Sequence, residues 1–232
     1  MSRPSPSPLE RRSFLTRLNT GLASFAAMAG VAMAQKASTP AARWEPARHE
    51  KDDWLDNLPG KHRVVFDTKT LESLGDALAF ASNFLRVNRT DYGLEHNDLA
   101  VVIVARHRST PFGYNDAMWA KYGFPLAARA RVEDPKTKLA PKMNLYNVAG
   151  FGELLPNRGV TVDALAKQGV QLAVCSISTR GYASVIAEAI GGNVDAIFSE
   201  LTANVVSNAR MVPAGIVAVN RAQERGYSLV SG

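Results

Sequence analysis

The segment DLAVVIVA at residues 98–105 decides the fold. Its apolar residues run on without alternating with polar ones, which is the pattern of a strand buried on both faces of a parallel sheet. A second such run, QLAVCS, occupies residues 171–176. Shorter runs at 63–67 (RVVFD), 210–213 (RMVP) and 227–230 (YSLV) complete five predicted strands. Helical signals lie between them. Leu71, Leu74, Leu78, Ala81 and Leu85 recur at helical spacing. A short helix is expected over 115–122, and Thr161 stands as a cap before a helix over 161–168. Further helices are expected over 179–190 and 194–207, split by Gly191 and Gly192, and over 215–225. Residues 123–160 hold several Pro and Gly and read as a long irregular insertion. Strand and helix alternate, so the expected fold is α/β: a mostly parallel five-stranded sheet with helices on both faces.

Composition sets outer bounds. At 232 residues, 46% hydrophobic and 21% charged, the chain is not collagen-like, coiled-coil or wholly disordered. It is long enough to bury a core without covalent staples. The single cysteine, Cys175, excludes an internal disulfide and every zinc site needing two thiolates. The net charge of +6 suggests an anionic partner at first sight. Half of that excess lies in the first 34 residues, where Arg3, Arg11, Arg12 and Arg17 face only Glu10.

Those 34 residues have the layout of an export signal. An uncharged run, TGLASFAAMAGVAMA, fills residues 20–34. It is too short to cross a hydrocarbon core of about 30 Å. It ends in the small-x-small pattern Ala32-Met33-Ala34, so cleavage is expected between Ala34 and Gln35. Arg11-Arg12-Ser13-Phe14-Leu15 resembles the twin-arginine motif, with Thr16 where lysine is often found. The expectation is a periplasmic protein exported through the twin-arginine route, meeting the membrane only in transit. Residues 35–60 then form an aperiodic lead-in. Trp44 and Trp54 within it either pin it to a folded surface or remain as partly exposed aromatics.

Open parallel sheets bind ligands at the C-terminal ends of their strands. Those ends are Thr68, Arg106-His107, Cys175-Ser176 and Pro213-Ala214-Gly215. Cys175 thus stands on the functional edge, immediately before a helix, where backbone N–H groups and the positive dipole end favour a thiolate. Arg106, His107, Ser176 and Arg180 are the candidates for holding anionic sulfur or a small ligand beside it. Two readings stand for Cys175: a reactive thiolate, or an inert cysteine in the core. Other chemistry lacks its signature. Gly150-Phe-Gly152 is not followed by the third glycine of a dinucleotide fingerprint, and there is no P-loop, G-x-S-x-G elbow or HExxH. His49, His62, His96 and His107 are scattered without metal spacing. Neither a metal nor a bound cofactor is expected, and no basic stripe interleaved with aromatics points to nucleic acid.

The stretch GVQLAVC at 169–175 and the tail MVPAGIV (211–217) followed by RAQERGY (221–227) resemble the DsrE/DsrF-like family, small α/β proteins of sulfur metabolism. The similarity follows the order of elements from His62 to Val230 and is closest in the last sixty or so residues. It implies a flavodoxin-like three-layer fold, a homo-oligomer (trimer or hexamer) and no cofactor. It also implies a persulfide carried by a cysteine at the end of this strand and passed to a partner thiol. Cys175, with Arg180-Gly181 shortly after it, matches that position. The export signal, the 123–160 segment and the helix near 194–207 depart from the compact family core.

Overall fold

The computed structural model describes residues 45–231. The motif residues Arg11, Arg12, Phe14 and Leu15, the Ala34–Gln35 junction and Trp44 lie outside them. Five strands, β1 (His62–Thr68), β2 (Leu99–Ala105), β3 (Gln171–Cys175), β4 (Ala209–Val212) and β5 (Ser228–Ser231), form one sheet in the order β4-β3-β2-β1-β5. Every pairing is parallel. The chain steps outward one strand at a time from β1 to β4, then returns across the sheet to place β5 on the other side of β1.

Helices α1 (Leu71–Tyr92), α2 (Asp116–Ala130), α3 (Val162–Ala166), α4 (Ser176–Ile190) and α5 (Val194–Ala203) connect the outward steps, and α6 (Gly215–Gln223) makes the return. Side chains along β2 show why three layers result. Val101, Ile103 and Ala105 join a core cluster with α1, α2, α4 and α5, whereas Ala100, Val102 and Val104 join a second cluster with α6. Consecutive side chains on a strand point to opposite faces, so an unbroken apolar run requires cover on both. The expected three-layer α/β architecture is the one observed.

Local chemistry sets the element ends. The Thr70 hydroxyl accepts from the backbone N–H of Ser73, whose own hydroxyl accepts from the Thr70 N–H, closing a capping box on α1. Thr161 caps α3 as expected. Helix α4 stops at Gly191 in the left-handed conformation.

One expectation is corrected. Helix α2 does not end near Tyr122 but runs on to Ala130. Tyr122 is non-helical (φ −119°, ψ 15°), so the helix is already kinked ahead of Pro125, a residue without an N–H to donate. The rest of the 123–160 segment is irregular, as expected, with short 3₁₀ turns at Leu145–Asn147 and Ala149–Leu154, and it packs into the core. Leu145, Tyr146, Phe151 and Leu155 are buried in the first core cluster. Fully buried Asn144 donates to the carbonyls of Phe112 and Tyr114 (2.8 and 2.9 Å) and accepts from the Tyr146 N–H. These bonds satisfy backbone groups that no strand or helix pairs.

The lead-in is also anchored. A 3₁₀ turn at Glu50–Leu55 lays Trp54 (9% exposed) and Leu55 on the α6 side of the sheet. The Arg63 guanidinium donates to the carbonyls of Leu55, Leu58 and Gly60. Of the two readings for Trp54, pinning to the domain is the one observed. Among the described residues no helix is long and apolar enough to cross a membrane.

Candidate functional site

Cys175 ends β3 and is the N-cap of α4, so a buried strand delivers it to a helix start. Its Sγ accepts the backbone N–H of Ser178 at 3.4 Å. A hydrogen bond of this kind is stronger to a charged acceptor than to a neutral one. The residue is only 5% exposed. Its carbonyl accepts from the Thr179 hydroxyl (3.0 Å), which in turn accepts from the Tyr114 hydroxyl (2.9 Å). Burial raises the Tyr114 phenol far above its ordinary range, so that chain stays protonated. Ser176, the next residue, is half-buried, and Ile177 is exposed.

The four side chains expected around Cys175 divide. Arg106 stays at the sheet edge but is committed: its Nε meets Oδ1 of Asp67 at 2.6 Å, and a second guanidinium nitrogen meets Oδ2 at 2.8 Å. The hydrogen bond to Asp67 raises the Arg106 guanidinium further above its already high ordinary value. Gly215 lets α6 start against this arginine. A Cβ there would fall 2.6 Å from the Arg106 Cβ and 3.2 Å from Val104 Cγ1, which gives the glycine of the VPAG tail a packing reason. Arg180 is turned away from the edge. It is exposed, pairs with Asp195 at 2.6 Å and lies over the Phe198 ring of α5.

His107 is held by its backbone rather than its ring. It adopts φ 57°, a left-handed conformation uncommon outside glycine, and its N–H donates to the Ser178 hydroxyl at 2.9 Å. Ser178 is therefore shared: its backbone N–H faces Cys175 and its hydroxyl faces the loop after β2. On that side lies a cavity of about 350 Å³ lined by His107, Arg108, Arg129, Arg131, Ser178 and Tyr182. Sequence reasoning missed Arg108, Arg129, Arg131 and Tyr182. The only available signal was the density of arginine in RHR at 106–108 and RAR at 129–131. Among the described residues no group of three or more His, Cys, Asp or Glu side chains is placed to hold a metal ion.

No family model and no curated protein matches the chain. Among solved structures it is similar to a protein of unknown function from Methanobacterium thermoautotrophicum, with 17% identity and a TM-score of 0.37 over 74% of this chain and 100% of that one.

Proposed function

We propose that this is an exported sulfur-handling protein of DsrE/DsrF type, in which Cys175 carries sulfane sulfur as a persulfide. The observation that carries this reading is the position of Cys175 at the N-cap of α4, on the C-terminal edge of the sheet, with the Ser178 N–H on its sulfur. The chemistry balances without an outside oxidant. The Cys175 thiolate attacks the outer sulfur of a persulfide donor, the new Sγ–S bond forms as the donor's S–S bond breaks, and the donor leaves as a thiolate with the bonding pair. An acceptor thiolate then attacks the outer sulfur on Cys175 and returns the original thiolate. One thiol suffices, and this chain has one.

The chain is proposed to reach a periplasm by the twin-arginine route and to work as a homo-oligomer, a trimer or hexamer, with a thiol protein as acceptor. A second reading follows from the 5% exposure of Cys175: an oligomeric subunit or small-ligand-binding module with the cysteine as core.

Intact mass of the purified protein after incubation with a persulfide donor separates the two. Gain of one sulfur atom, lost in Cys175→Ser, supports the carrier. A thiol that stays unmodified until the protein is denatured overturns it in favour of the second reading. Cell fractionation of the wild type beside an Arg11→Lys/Arg12→Lys variant tests export, and light scattering reads the oligomer.

A further inference from the structure

The cavity beside α4 has an unusual donor inventory. Arg108, Arg129 and Arg131 converge on it from two separate elements, the loop after β2 and the C-terminal end of α2. No carboxylate among the described residues lines it. Among the described residues none of the three arginines forms a salt bridge, so their charges are left to the cavity and to solvent. Guanidinium groups have donors only and cannot shed their charge at ordinary pH. Three of them around about 350 Å³, Arg108 half-buried and Arg129 and Arg131 exposed, give the cavity a concentrated positive potential that favours an anion.

A second, independent observation comes from buried polar groups. Tyr182 is 0% exposed, and its hydroxyl has no hydrogen-bond partner among the described residues; the buried Nε of Arg108 likewise has none. Native proteins rarely leave such groups unpaired, and each calls for an explanation. The Ser178 hydroxyl accepts the His107 N–H, so its own proton remains uncommitted to any acceptor among the described residues. Burial raises the Tyr182 phenol while the Arg129 and Arg108 charges oppose that rise, which places all three in one electrostatic environment.

The geometry is fixed. The Arg129 guanidinium lies 5.0 Å over the Tyr182 ring. It reaches that position past Gly181, where a Cβ would come within 2.6 Å of an Arg129 terminal nitrogen. His107 is held in its left-handed conformation with its N–H on Ser178.

We infer that this cavity is a binding site for a small dianionic tetrahedral oxyanion, held by Arg108, Arg129 and Arg131 with the Ser178 hydroxyl. Sulfate, thiosulfate and phosphate share this chemistry. The site does not depend on Cys175 as a sulfur carrier, since none of its groups is that thiol. Ser178 nonetheless links the two, since it lines the cavity and its backbone N–H meets the Cys175 sulfur.

Isothermal titration of the purified protein with sodium sulfate, sodium thiosulfate and sodium phosphate, each at matched ionic strength in sodium chloride, tests the site. Binding of at least one dianion in excess of chloride is expected, and the preferred arm names the ligand. Arg129→Gln and Arg131→Gln should each weaken that binding about tenfold, as loss of a charge-assisted hydrogen bond implies. Arg86→Gln, on the exposed side of α1, should leave it unchanged, and Cys175→Ser should retain it. Absence of dianion binding beyond chloride overturns the site, as does equal weakening by all three arginine variants. Loss of persulfide formation with oxyanion binding intact would count against the Cys175 reading alone.

Discussion

Asp67 and Arg106, at the C-terminal ends of neighbouring parallel strands, form a two-pronged ion pair with nitrogen–oxygen distances of 2.6 and 2.8 Å. The side chains are 10% and 23% exposed, so the pair is largely withdrawn from water. Removing one member strands the other charge there, which is worse than removing both. Arg106→Ala is expected to destabilise by about 2–3 kcal/mol, and the Asp67→Ala/Arg106→Ala double variant by less than the single. Denaturant unfolding of the three proteins measures this. Additive losses would show that the pair contributes no coupling and would return Arg106 to the list of free ligands.

The irregular segment gives a second prediction. Asn144 links it to the loop before α2 through the Phe112 and Tyr114 carbonyls. Asn144→Ala leaves both carbonyls buried without this donor, at about 1–3 kcal/mol each before relaxation. The variant should lose on the order of 3 kcal/mol and expose Lys136–Lys138 to protease earlier than wild type. Wild-type stability in this variant would mean that the segment is only loosely attached.

These cases show where the sequence was legible. Apolar runs at 98–105 and 171–176 and the cap at Thr161 act over a few residues, so the strands, the start of α3 and the place of Cys175 at a helix start could be read directly. Gly123 and Pro125 looked like breaks because the kink at Tyr122 that accommodates the proline is a property of the folded helix. Asp67 drew no notice because its partner lies 39 residues away, just past the end of the next strand. The arginine cavity was hidden for the same reason: Arg108 and the 129–131 pair meet only once α2 packs beside α4. Spacing along the chain carried information about local chemistry and little about convergence.

Glu200 predicts a pH dependence. Hydrogen bonds from Lys121 and from the Tyr122 hydroxyl hold its carboxyl below the ordinary glutamate range. A carboxyl lowered on folding contributes stability that is complete above its unfolded value, about 4.3, and is lost as pH falls through the folded value. Glu200→Gln should therefore be less stable than wild type at neutral pH and lose less on acidification to about pH 3. Lys121, raised by the same contact, affects only the alkaline side. Thermal unfolding across this range checks the claim. Parallel acid limbs for the two proteins would remove Glu200 from the account.

Tyr182 separates packing from ligand binding. Its ring is fully buried beneath Arg129, while its hydroxyl has no hydrogen-bond partner among the described residues. Tyr182→Phe keeps the ring and its cation–π contact and removes a polar group that is unfavourable to bury unpaired. Without added anion, the variant should match wild type or exceed it by about 1 kcal/mol. With saturating sulfate, thiosulfate or phosphate both proteins should gain equally, because a ligand that binds only the folded state stabilises in proportion to its affinity and the buried hydroxyl lies out of its reach. Melting temperatures with and without the anion, at matched ionic strength, give both comparisons. A Phe variant that gains clearly less than wild type from the anion would show that the hydroxyl serves the ligand as well as the fold.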